Sequence, residues 1–232
     1  MNMSRFTVTG VLVAACALSA AQELSHAASA EPLVQARDVF AKNGSEAIGR
    51  ALTIEIPQDA LGRKYFYSRL DATSGLTTVE SWTDKSNLPI KAIYKAKTPG
   101  GFTTTTFEFL AGKVKITRVT PKSSSKAVVR VPDGMVAVMS QFNPHDYPGK
   151  QLLVFDPSFA QGVEHFVDVE TTPDDPVIQY RVSSAVGWSE IETNEQGHFI
   201  SMHNSIGLKM KVSELTTAEA MFARQIAGSA GK

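Results

Sequence analysis

From Lys64 to Val131 the chain repeats one pattern. The segments "KYFYSRL", "TTVESW", "IKAIYKA", "FTTTTFEFL", "KVKITRV" and "KAVVRV" alternate apolar and polar positions, and "TSG", "SNLP", "TPGG", "AG" and "PKSSS" separate them. Period-two alternation bounded by Gly, Pro, Ser and Asn is the signature of half-buried strands joined by turns, and a spacing of about 8–12 residues is that of an antiparallel meander. In "FTTTTFEFL", Phe107 and Phe109 share a side with Thr103 and Thr105, and Thr104, Thr106, Glu108 and Leu110 take the other. The pattern resumes with "QLLVF", "VEHFVDVE", "VIQYRV", "GWSEIET" and the long "GHFISMHNSIGLKMKV". About a dozen strands in one domain must curl into a barrel, split into a sandwich or wrap around a helix.

The last segment carries Ile200, Met202, Ile206, Leu208, Met210 and Val212 on one face together with His198 and Asn204. Ser201, His203, Ser205, Lys209 and Lys211 lie opposite. As one regular strand it would span about 50 Å, so a bend or bulge is expected near Asn204 or Gly207. Helical spacing is expected at the two ends of the domain. Leu33, Ala36, Phe40, Ala47 and Ile48 predict an N-terminal helix broken at Asn43-Gly44. Toward the C-terminus, Thr216 and Glu219 have capping-box spacing, Ala218, Phe222 and Ile226 share a face, and Gly228 supplies a stop. The predicted class is mainly β with flanking helices, a curved antiparallel meander forming a half-barrel or barrel.

The first 30 residues do not join this pattern. Arg5 followed by an apolar run from Phe6 to Leu18 and then small residues reads as an export signal. The run is shorter than the roughly 20 apolar residues a membrane-spanning helix needs. Cleavage after Ala21 or after Ala30 would discard Cys16, the single cysteine of the chain, whereas "VAAC" at Val13 to Cys16 has the form of a lipobox and would tether the protein by an acyl group. The expected location is the periplasm or the outside of the cell, with a lipid-anchored envelope protein as the alternative. On either route the domain from residue 31 to 232 contains no cysteine, so its core must hold it without disulfides. Twenty-three basic residues balance 23 acidic ones. Bulk charge therefore offers no field for nucleic acid or anionic lipid.

An export signal, an amphipathic first helix and a long meander ending near a helix resemble the periplasmic LolA/LolB-like half-barrel proteins. The resemblance is one of pattern across most of the mature chain, and it transfers no functional residue. It implies a curved sheet around an apolar cavity, as in lipid and lipoprotein carriers and related binding modules. Closed lipocalin-like barrels share the pattern.

Candidate chemistry is sparse. The loop "QFNPHDYPGK" brings Asn143, His145, Asp146 and Tyr147 together between two prolines; loops of this kind often carry sites, yet Asn-Pro and Tyr-Pro-Gly are also plain turn chemistry, which makes it a surface loop. His165 alternates with Val163, Val167 and Val169, and His198 opens the apolar face of its strand, so both are expected to point inward while His203 points to solvent. No H-E-x-x-H helix, serine elbow or phosphate loop is present, and His145, Asp146, His165, His198 and His203 lack metal-ligand spacing. No metal, cofactor or catalytic residue is assigned. Tyr65 and Tyr67 share a face with Arg69, and Trp82 with Glu80 and Thr78, which reads as aromatic packing. The carboxylate pairs Asp174-Asp175 and Glu190/Glu192 read as solvated charge.

These observations lead to the expectation of an exported binding or carrier protein for an apolar or amphipathic ligand, a lipid-like molecule or an apolar partner segment. Its ligand-binding residues would be His165, His198, Met202, Leu208 and Met210 on the concave face, methionine being the side chain that adapts best to variable shapes. A periplasmic enzyme using His145 or the pair His165 and His198, and a structural envelope protein, are the alternatives. The oligomeric state is left open.

Overall fold

The computed structural model describes residues 31–230 apart from 42–43, 58–60, 74, 99, 132–135, 139–140, 157–160 and 171–175. The expected export signal with Cys16, Asn43 and the Asp174-Asp175 pair lie outside the described residues. The alternating segments become fifteen strands: β1 (Leu33–Phe40), β2 (Ala47–Ile56), β3 (Lys64–Ala72), β4 (Gly75–Thr83), β5 (Pro89–Thr98), β6 (Gly101–Leu110), β7 (Lys113–Val119) and β8 (Ser124–Arg130) form the first run. The second comprises β9 (Val136–Val138), β10 (Gln151–Asp156), β11 (Gln161–Val169), β12 (Val177–Ser184), β13 (Gly187–Asn194), β14 (Phe199–Asn204) and β15 (Lys209–Ser213), followed by helix α1 (Thr217–Ala230). Among the described residues no helix is long and apolar enough to cross a membrane.

All fifteen strands belong to one sheet, ordered β8-β7-β6-β5-β4-β3-β2-β1-β15-β14-β13-β12-β11-β10-β9. The chain steps outward from β1 to the β8 edge, crosses to the β9 edge and steps back until β15 pairs antiparallel with β1. Only the short β9 pairs in parallel, with β10. The sheet is strongly curved but does not close into a barrel, because β8 and β9 are not bonded to one another.

The edge is instead tucked inward. On β10, Leu152 and Val154 join a core with Val167, Tyr180, Val182 and Ile191. The opposite side of the same strand, Leu153 and Phe155, packs with Val138 against Ala92, Phe107, Val114 and Ile116 on the inner face of β5 to β7. Phe155 sits edge-on to Phe107 and Phe109, with ring centroids 5.9 and 5.5 Å away. The sheet thus overlaps itself like a scroll, and β10 is apolar on both sides for that reason.

Two expectations change. The N-terminal helix is absent, since residues 33–40 form the central strand β1, bonded to both β2 and β15. Ala36 is buried on one face of β1 and Val39 on the other, and apolar residues on both faces, at Leu33, Ala36 and Phe40, fall at intervals of three and four that mimic helical spacing. The long C-terminal segment does more than bend. It reverses through a turn in which Asn204 Oδ1 accepts the Leu208 N–H at 2.9 Å and Gly207 adopts φ +88°, so that Met202 faces Met210 across a hairpin.

Helix α1 lies on the outer face of β1 to β4. Its Phe222, Ala223 and Ile226 cover Ala36, Leu52, Ile54, Tyr65 and Tyr67, with Tyr67 edge-on to Phe222 at 5.5 Å. The expected capping box forms: Thr216 Oγ1 accepts the Glu219 N–H at 3.2 Å and Glu219 Oε2 accepts the Thr216 N–H at 2.8 Å. Arg50 on β2 fixes the helix start. Its Nε and Nη2 donate to the two Glu219 oxygens at 2.8 Å each, and Nη1 donates to Asp38 at 2.7 Å. The Arg50 guanidinium, followed by the capping bonds from Thr216, holds the Glu219 carboxyl down at a pKa of about 2.

Two stability predictions follow from this packing. Phe155→Ala should cost about 3–5 kcal/mol in urea unfolding, because it empties a site sealed on every side. Glu219 has a folded pKa below its unfolded one, so its contribution is complete above about pH 4.5 and disappears as pH falls toward 2. Glu219→Gln should therefore cost about 1–2 kcal/mol at pH 7, reduced by solvent at this rim. Denaturant unfolding of the two proteins should converge as the pH approaches 2.

Candidate functional site

The inner face of the sheet is where apolar and charged groups meet without saturating one another. Cross-strand register defines it around β1: Arg37 stands opposite Ala51 on β2 and Val212 on β15, Val39 opposite Met210, and Met210 opposite Met202 on β14. Most of this face is closed, as Val39 and Ala51 are. Beside Arg37 it is not: Val212 is 49% exposed, and Leu33, two positions beyond Gln35 on the same side, is 41% exposed.

Arg37 itself is half-buried and has an unusual set of neighbours. Nη2 donates to Gln35 Oε1 at 2.8 Å, the guanidinium lies 4.1 Å above the centre of the Phe199 ring, and the enclosed Nε finds no acceptor. Among the described residues no carboxylate pairs with it. Burial without a counter-charge pulls its pKa down to about 10. Phe199 reaches this position through a bulge. Glu192 pairs with Ser201 but Thr193 pairs with Phe199, so Ile200 is the extra residue and Phe199 turns inward. Strict alternation from Met202 would put Phe199 outside, which is why sequence reasoning missed it, and Arg37 was hidden by the helical reading of β1.

The inward acid Glu55 stands opposite Leu33, four residues along β1 from Arg37 and roughly 13 Å away by strand rise. Burial raises its pKa, partly countered by Lys64.

The histidines do not gather. His165 is buried on the inner face as expected, and its Nδ1–H donates to the Val163 carbonyl at 2.9 Å. His203 points outward, with Nε2 2.9 Å from Glu190 and its ring edge-on to Trp188. His198 departs from expectation. It is exposed in the turn before β14, where its N–H is held by Asn194 Oδ1 at 2.9 Å, because the turn takes residues 195–198 out of the strand. Leu208 likewise belongs to a turn, half-buried, while Met202 packs at the margin of the inner core. Among the described residues no three His, Cys, Asp or Glu side chains form a cluster that could hold a cation.

The loop from Gln141 to Lys150 is not a free surface loop. It forms a 3₁₀ turn (Pro144–Asp146) with Pro144 buried, Asn143 Nδ2 donates to the Gly197 carbonyl at 3.1 Å, and His145 Nδ1 shares a hydrogen bond of 2.9 Å with the Tyr180 hydroxyl. Turn residues were legible there; the docking partner on β12 and the β13–β14 turn was not. The contacts make the loop a latch that fastens to β12 and to the turn between β13 and β14. On the outer face, the groove between α1 and β2–β3, lined by Arg50, Leu52, Arg69, Asp71, Glu219 and Phe222, has its charges already paired, Arg50 with Glu219 and Arg69 with Asp71.

No protein-family profile, curated protein or solved structure matches this chain.

The latch yields a test. A Cβ at Gly197 would lie 2.8 Å from the His145 ring, and the glycine has φ +77°. Gly197→Ala should destabilise the protein by about 1–3 kcal/mol. In a His145→Ala background part of that cost should vanish, because the ring that clashes is gone, and a double-mutant cycle by urea unfolding measures the difference.

Proposed function

We propose that this protein is an exported binding or carrier protein for an amphipathic, lipid-like molecule seated on the inner face of its curved sheet. The observation that carries this reading is the juxtaposition at Arg37: a guanidinium without a counter-ion among the described residues, beside the accessible apolar side chain of Val212, with Leu33 exposed further along the same face. Leaving a desolvated cation unpaired is costly, and a carboxylate or phosphate head group would supply the charge-assisted partner that Gln35 does not. The Met202–Met210 pair along the same face offers an adaptable wall for an alkyl chain. Phe199 would hold the guanidinium plane in place through its ring face.

Titration calorimetry with dodecanoate, dodecyl phosphate and dodecanol tests the reading. Arg37→Met keeps the apolar stem and should weaken the two acids at least tenfold while sparing the alcohol. Met202→Gln should weaken all three about tenfold, the equivalent of about 1.4 kcal/mol, and cost about 1–3 kcal/mol of stability through its enclosed amide. His145→Ala should lower stability by about 1 kcal/mol and leave binding unchanged. Failure of all three amphiphiles to bind would overturn the carrier reading, and a turnover abolished by His145→Ala would replace it with the enzyme reading.

A further inference from the structure

The balanced total charge conceals a segregation that the sheet register makes visible. On β5, Lys91, Lys95 and Lys97 point to the outer face. Glu108, Thr104 and Phe102 on β6 stand opposite them. Lys113 and Lys115 on β7 continue that face, followed by Lys126 and Arg130 on the edge strand β8. Seven basic side chains thus share one wall. Its acids are Glu80, which pairs with Lys95 at 3.4 Å, and Glu108. From Phe109 to Val131 the sequence contains six basic residues and no acidic one. Among the described residues Lys113, Lys115, Lys126 and Arg130 have no ion-pair partner within 4.0 Å, and all four are exposed.

Apolar side chains stud the same wall. Phe102 is 58% exposed and Val128 63%, and Leu110 and Val119 also face outward there. The opposite side of these strands is the sealed core of Phe107, Val114 and Ile116, so the exposed residues are surplus to folding. A soluble polyanion needs the charges but has no use for aliphatic side chains between them. A membrane surface uses both: anionic head groups attract the lysines, and exposed Phe and Val side chains enter the boundary between head groups and acyl chains. We infer that the outer face of β5 to β8 docks this protein onto an anionic lipid surface. The inference is independent of what the inner face binds.

Flotation with vesicles tests it, using the exported protein in a Cys16→Ser background so that no acyl anchor contributes. The protein should float with vesicles of phosphatidylcholine and phosphatidylglycerol at 3:1, and should not float with phosphatidylcholine alone. Binding should fall at least tenfold on raising salt from about 0.05 to 0.5 M, as expected when the Debye length shrinks below the spacing of surface charges. Lys115→Glu/Lys126→Glu should reduce it at least tenfold at low salt. Phe102→Ser/Val128→Ser, which leaves every charge in place, should reduce it severalfold at both salt concentrations. Unchanged urea midpoints in both double variants would exclude unfolding as the cause. Equal flotation with neutral vesicles, or none with anionic ones, would overturn the inference. So would tighter binding to a single-stranded oligonucleotide that ignores Phe102→Ser/Val128→Ser, since the wall would then serve a soluble polyanion.

Discussion

The two-sided pairing of β1 is the constraint on which the rest of the structure depends. One edge of this strand bonds β2 and the other β15, so the outgoing and returning halves of the meander become a single sheet there. With β1 fixed, each flank carries seven strands and ends in an unbonded edge. Right-handed twist, accumulated over fifteen strands, must curl such a sheet. The curl brings β9 and β10 beneath β5 to β7, and the aromatic contact of Phe155 with Phe107 and Phe109 secures the overlap. Helix α1 then covers the outer side of the central strands, held at its first turn by Arg50.

The same geometry gives the two faces different chemistry. Around β1 the inner face carries the Arg37 guanidinium, which has no carboxylate partner among the described residues, whereas the outer face divides by strand. Beneath α1 the charges are neutralised in pairs; beyond it, on β5 to β8, they are all of one sign apart from Glu108, and among the described residues Lys95 alone of the seven basic side chains has an ion-pair partner, Glu80. A small molecule and an extended surface could thus be engaged from opposite sides of one sheet without competing for side chains.

Much of the fold was legible because alternation is a local signal. Strand β7 spans the segment "KVKITRV" as read, β6 spans "FTTTTFEFL" with Gly101 added from the preceding turn, and the capping box at Thr216 and Glu219 formed as read. What failed was non-local. β1 looked helical because its apolar residues lie on both faces, at intervals of three and four. His198 changed environment through a turn, and Phe199 changed faces through one extra residue, Ile200. Neither leaves a signature stronger than the alternation it interrupts. The candidate site inherits these failures, since Arg37 and Phe199 both lie at them. The basic wall was legible in principle, in the acid-free run from Phe109 to Val131, but total charge averages away a local excess.

Joining the first strand to the last has a kinetic consequence. Ala36 pairs with Ser213, so β1 cannot complete its ladder until nearly the whole chain has been made. Strands β1 to β8 can assemble as hairpins while synthesis continues, but the second edge of β1 stays open throughout. At roughly 5–20 residues per second that interval is about 10–35 s, long compared with the microseconds in which a hairpin forms. During it the nascent chain presents the central strand as an unpaired edge, a template for pairing with another copy. Binding of that edge by a chaperone, or delivery of the chain unfolded to the place where it folds, would protect it until β15 arrives.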